Sequence, residues 1–186
     1  MEGYYDYLFL LQPSDAVKEQ IRHCKLKACE YIGHYQGMKA TAHLSICEIT
    51  RQKPHVIDSY LQTVKNKANS IPPVSLEING FDFFMHSNEH MTIYAAIKPT
   101  YKTDNWFALL KKLLNSKRPL TPHITVTRYI PVNDFYKLWP ELRQVRYQDS
   151  FVANRLTILE KETFKPNAKY NIREEIYFKN ELKAQY

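Results

Sequence analysis

Two short segments carry residue types able to move protons: His43-Leu44-Ser45-Ile46 and His123-Ile124-Thr125-Val126. Each is apolar at its second and fourth positions, the pattern of a half-buried strand. Strand side chains alternate between faces, so His43 and Ser45 share one face while Leu44 and Ile46 share the other, and the second segment divides the same way. Each segment thus presents one imidazole and one hydroxyl. A single tripeptide of this kind arises by chance, but two with matching apolar neighbours form a constellation. Facing each other across one cleft, two imidazoles suit phosphodiester chemistry: a neutral His takes a proton from the nucleophile while a protonated His gives one to the leaving oxygen. Histidine can be held in either state near neutral pH. The Ser45 and Thr125 hydroxyls would donate hydrogen bonds to the non-bridging phosphate oxygens, where charge must be stabilised. Such a scheme needs no metal and no cofactor.

The order of elements can bring the segments together. Tyr4 to Gln12 reads as a strand closed by the helix-start signal Pro13-Ser14-Asp15, and a helix runs to about Tyr31. Ala42 to Thr50 is a second strand. Pro54 opens a helix to about Asn69, and Val74 to Phe84 is a strand with a bend at Gly80. The order then repeats: strand Met91 to Ile97, helix Thr103 to Asn115 opened by Thr103-Asp104, strand His123 to Tyr129, helix Val132 to Leu142, strand Phe151 to Glu160 and a last strand Tyr170 to Phe178. One histidine segment falls in the second strand of each half. Helices and strands mixed in this way predict an α+β protein of mostly antiparallel sheets. The expected organisation is one bilobal domain over 1–186, with pseudo-symmetric lobes of about 1–85 and 86–186, terminal strands open to exchange between lobes, and a cleft between them.

Composition sets the background. Apolar residues make up 44% and charged residues 24% of the 186 positions, which excludes a disordered, collagenous or coiled-coil body. No apolar run approaches the roughly 20 residues of a membrane helix, and Met1-Glu2-Gly3 lacks a basic leader, so no membrane partner and a cytoplasmic address are expected. Lys and Arg number 26 against 19 Asp and Glu, a surplus of +7, which favours polyanions as partners. Cys24, Cys29 and Cys47 lack CxxC spacing, so reduced thiols are expected rather than a disulfide framework or zinc knuckle. His86-Ser87-Asn88-Glu89-His90 matches the H-x-x-E-H pattern of inverted zinc peptidases. That chemistry requires a helix, whereas this stretch lies between two strand-like runs and reads as a hairpin. Cys47 shares the alternation parity of His43 and Ser45 and could line the same face.

The chain resembles the two-histidine phosphoesterase superfamily, which includes 2′-5′ RNA ligase-like proteins and RNA 2′,3′-cyclic phosphodiesterases. The resemblance rests on the doubled His-x-Ser/Thr segment, the run Pro122 to Arg128, the opening strand Tyr7 to Pro13 and the closing Leu156-Thr157-Ile158-Leu159 followed by Tyr170-Asn171-Ile172. It implies a bilobal fold with both motifs lining a central cleft, His43 and His123 as the acid–base pair, and Ser45 and Thr125 as phosphate ligands. Arg128 matches an Arg that often follows the second motif, although simple alternation puts it on the face opposite His123. Lys39, Lys117 and Arg118 would make the approaches to the cleft basic. Phe84, Tyr94, Tyr5 and Tyr7 are aromatic residues that could stack on a base. The expected activity is metal-independent opening of a 2′,3′-cyclic phosphate on an RNA end or nucleotide by a monomer. The alternatives are a module that binds RNA ends or nucleotides without turnover, and cleavage or ligation of 2′-5′-linked oligonucleotides at the same site.

Overall fold

Tyr7, Phe9 and Leu11 are wholly buried along one side of the first strand, so this face must be covered by another layer. The computed structural model, which describes residues 3–86 and 89–179, supplies that layer. Its elements are β1 (Tyr5–Leu11), α1 (Asp15–Ile32), β2 (Leu44–Gln52), α2 (Pro54–Ala68), β3 (Val74–Met85), β4 (His90–Ile97), α3 (Tyr101–Leu113), β5 (His123–Pro131), α4 (Val132–Leu142), β6 (Gln148–Ala153), β7 (Arg155–Glu162) and β8 (Asn171–Tyr177). The strands form two four-stranded antiparallel sheets, ordered β2-β1-β7-β8 and β5-β4-β3-β6. The fold is therefore α+β, as its element order implies. Pseudo-symmetry is visible in the two orders: each sheet places its histidine strand, β2 or β5, at an edge and the strand that begins its strand-helix-strand unit next to it.

The sheets do not divide the chain at residue 85. Strand β3 pairs with β4 and β6, while β7 pairs with β1 and β8, so the two ends of the chain build one sheet and its middle builds the other. One continuous core joins them, with Phe9, Leu44 and Ile158 from the first sheet packed in the same cluster as Leu76, Ile124 and Phe151 from the second. Helix α1 packs on α4 and β5, and α3 on α2 and β3. The edges β2 and β5 lie against each other, which sets the two histidine strands side by side.

Three local outcomes differ from or refine the sequence expectation. The single strand Phe151 to Glu160 is two strands, because Asn154 carries the chain from one sheet to the other; β6 ends on Val74 and β7 begins beside Tyr177. Helix α3 begins at Tyr101, earlier than Thr103-Asp104, because Thr100 and Thr103 form a reciprocal capping box: the Thr103 N–H donates to Thr100 Oγ1 at 3.1 Å and the Thr100 N–H to Thr103 Oγ1 at 2.9 Å. A threonine does there what a Glu or Gln usually does. The bend at Gly80 is present: its φ is 75°, the β3–β4 register shifts between Ile78 and Phe81, and its N–H donates to the Tyr147 carbonyl at 2.7 Å. A Cβ at Gly80 would meet nothing within 4 Å, so Gly80→Ala should cost only the left-handed backbone strain, about 1–2 kcal/mol. Chemical denaturation of the variant would measure this directly.

Candidate functional site

Leu44 and Ile46 are buried, as are Ile124 and Val126, while His43, Ser45, His123 and Thr125 remain partly exposed. Burial of the apolar pairs fixes which way the polar pairs face. In both strands the ladder register then slips by one residue directly after the hydroxyl. Leu10 faces Ser45 but Phe9 faces Cys47, and Tyr94 faces Thr125 but Ile93 faces Thr127. Such an irregularity reverses side-chain parity beyond it. Cys47 consequently joins the face of Phe9 and packs against the core; it does not share the face of Ser45, and burial pushes its thiol up to about 11. Arg128 is affected in the opposite sense. Simple alternation sets it opposite His123, but after the slip it returns to the side of Thr125, exposed and near enough for its charge to act on His43.

The two imidazoles are held alike. His43 Nδ1 lies 2.8 Å from the Thr41 carbonyl and His123 Nδ1 lies 2.7 Å from the Thr121 carbonyl. A carbonyl can only accept, so each Nδ1 carries the hydrogen, and each Nε2 is left to accept a proton when the ring is neutral or donate one when it is charged. The anchoring residue stands two positions before each histidine and is a threonine in both segments, a repeat visible in the sequence beside the histidine and hydroxyl positions. Both rings are pushed below the ordinary histidine range by burial, against which the anchoring carbonyls act. On His43 the charges of Lys25, His123 and Arg128 press further in the same direction.

Their surroundings differ. His123 packs against Phe84 and Tyr94, each with its ring centroid 5.0 Å away, and these two rings stack on each other at 4.3 Å. Tyr94 is 4% exposed, stacked on Phe84 and set across the β3–β4 ladder from Asp82, so it backs His123 and leaves no open ring face for a base. Phe84 is half-buried beside it. Tyr7 is fully buried on the helix-covered face of β1 and cannot stack on a ligand; Tyr5 packs against the same core. Lys39 is exposed and lines, with Lys18, Arg22, Lys25 and Thr41, a cavity of about 460 Å³ beside the loop that leads into His43. Arg118 is exposed in the loop before β5, near enough for its charge to act on Cys47 of β2.

The H-x-x-E-H stretch includes Ser87 and Asn88, which lie outside the described residues. Around them the chain turns from β3 into β4, with the His86 N–H donating to the His90 carbonyl at 3.0 Å, a hairpin contact rather than a helical one. The His86 ring bonds Thr92 Oγ1 at 2.7 Å and the His90 ring stacks on Tyr129 at 4.2 Å. Among the described residues no three His, Cys, Asp or Glu side chains gather as a metal site. No helix among them is long and apolar enough to cross a membrane.

Two edge strands with an imidazole and a hydroxyl each, meeting between two pseudo-symmetric sheets, define a two-histidine phosphoesterase fold. A model of the 2′-5′ RNA ligase superfamily matches residues 13–163. The chain belongs to that superfamily. Among solved structures, Escherichia coli LigT complexed with NADP+ is similar at 14% identity and a TM-score of 0.65, over 95% of this chain and 99% of that one. TT0787 of Thermus thermophilus follows at 13% identity and 0.65, over 94% and 98%. Usb1 of Kluyveromyces marxianus is similar at 10% identity and 0.50, over 93% and 97%. LigT has also been solved with ATP, with 3′-AMP and with phosphate. Comparison with curated proteins gave no match.

Proposed function

We propose that the chain is a metal-independent phosphoesterase that opens a 2′,3′-cyclic phosphate on an RNA end or nucleotide. One imidazole Nε2 removes a proton from water as the water oxygen bonds to phosphorus; the bond from phosphorus to one ribose oxygen breaks, and the other Nε2–H protonates that oxygen. Ser45 and Thr125 donate to the non-bridging oxygens, and Arg128 faces the negative charge that they share. The observation that carries this reading is the matched anchoring of His43 and His123 through Nδ1, which leaves two Nε2 atoms for proton transfer on adjoining strands. Nucleotides and phosphate bound by LigT, a distant structural neighbour, are in keeping with such a ligand. A module that only binds RNA ends has no need of two imidazoles so prepared. The superfamily's name points to a second outcome at the same site, in which a 5′-hydroxyl takes the place of water: the base removes its proton, its oxygen bonds to phosphorus to form a 2′-5′ linkage, and the acid protonates the departing 3′-oxygen.

The dependence of rate on pH tests the scheme. The kcat/KM profile for a 2′,3′-cyclic nucleotide reports the free enzyme and should be bell-shaped, rising as the base loses its proton and falling as the acid loses its own. Because burial depresses both imidazoles, both limbs should lie at lower pH than for freely solvated histidines. The bound phosphodiester anion favours the charged rings, so the kcat profile, which reports the complex, should be displaced to higher pH. A profile flat from about pH 5 to 8 under conditions where chemistry limits the rate contradicts two-histidine catalysis.

A further inference from the structure

Lys25 lies in the middle of α1, on the face that buries Val17, Ile21 and Ala28. It is 4% exposed, and among the described residues no carboxylate pairs with it. A buried ammonium without a counterion is costly, and its position is held only where its hydrogen bonds are met. Its Nζ donates to the Ala40 carbonyl at 2.7 Å and to the Gly37 carbonyl at 3.2 Å. These carbonyls belong to the loop that ends at Thr41, whose own carbonyl accepts the His43 Nδ1 hydrogen. A continuous connection therefore runs from the ammonium through Ala40 and Thr41 to the imidazole.

Nothing equivalent stands behind His123 among the described residues. Its Nδ1 has the same kind of anchor at Thr121, but the ring packs on Phe84 and Tyr94, and what acts on it is burial and that carbonyl. Among the described residues, the charges that act on His43 are those of Lys25 from α1 and of Arg128 and His123 from β5, all of which disfavour its charged form. Around the adjoining cavity, Asp15 is engaged by Lys18 and Glu19 by Arg22 and His23. Two histidines that are alike in geometry thus differ in the charges around them.

We propose that Lys25 is a positioning residue for His43: it pins the loop that orients this imidazole, and its charge keeps His43 the proton acceptor, leaving His123 as the donor. This assignment of roles rests on the acid–base reading above. Its test is an NMR titration of both imidazoles in the full chain, which needs no turnover and so can fail independently of the proposed activity.

In the wild type, His43 should titrate below His123. In Lys25→Met the His43 midpoint should rise by roughly half a pH unit or more, because a like charge has been removed, while His123 stays in place. Lys25→Arg, which keeps the charge, should hold the His43 midpoint near its wild-type value. The acidic limb of kcat/KM should move upward with His43 in Lys25→Met, and the alkaline limb should not. A purely structural lysine would lower the melting temperature and leave both titrations unmoved, which would overturn the proposal. So would a wild-type His123 that titrates below His43, a measurement that requires no variant to fold, and so would movement of the alkaline limb alone.

Discussion

Alanine in place of His43 or of His123 is expected to lower kcat/KM for a 2′,3′-cyclic nucleotide by about 10²–10⁴-fold, the usual contribution of a positioned acid or base. The fold should survive, since the two rings are partly exposed and the strands are held by Leu44 and Ile124 on their buried side. Asparagine separates positioning from proton transfer. At either position it keeps an N–H that can reach the Thr41 or Thr121 carbonyl and removes the atom equivalent to Nε2. His43→Asn and His123→Asn should therefore be as inactive as the alanine variants. The double alanine variant should lose little beyond the worse single one, because groups that act in one proton relay are strongly non-additive. Steady-state kinetics, with circular dichroism to confirm folding, measures all of these. Full activity in any folded single variant would remove that histidine from the chemistry.

The second large effect concerns the hydroxyls. Thr125→Val keeps the shape of the side chain and removes only its O–H, and Ser45→Ala does nearly the same; each should lower the rate by about 10²–10³-fold, the loss seen when one preorganised donor to a developing anion is removed. The loss should fall chiefly on kcat, because the hydrogen bond strengthens as negative charge grows on the phosphate oxygens. Thr125→Ser and Ser45→Thr should stay close to wild type, since the two strands already use one residue of each kind at corresponding places. A loss confined to KM would make these hydroxyls ground-state phosphate ligands only.

The pairing of the two motifs is legible in the sequence because Leu44, Ile46, Ile124 and Val126 obey the period of a half-buried strand, and that period alone sets the faces of His43, Ser45, His123 and Thr125. It fails one residue later. Slips after Ser45 and Thr125 insert a residue into the ladder, and a strand's own sequence does not announce the register of its neighbour; alternation misplaces both Cys47 and Arg128 for that one reason. Asn154 shows the same limit, since an apolar run that crosses between two sheets has the pattern of one strand. Tyr7 reads as a strand aromatic free to stack until β1 turns out to be covered on that side. Lys25 escapes notice for a related reason. A lysine in a helix is normally solvated, and only the return of the Gly37–Ala40 loop over α1 buries it.

The basic surplus of the chain finds part of its place here. Arg128 and Lys25 both act on His43, and Lys39 lines the adjoining cavity, where Lys18 and Arg22 are paired with Asp15 and Glu19.

The most direct measurement is product analysis after incubating the purified chain with a cyclic-phosphate-ended oligonucleotide, a 2′,3′-cyclic nucleotide and a 2′-5′-linked dinucleotide, each with and without EDTA. The proposed function predicts conversion of the cyclic ends to a single phosphomonoester isomer, at the same rate in chelator, and loss of that conversion in His43→Ala and His123→Ala. Tight binding of these ends with none of them opened would contradict it and make the cleft a binding site alone.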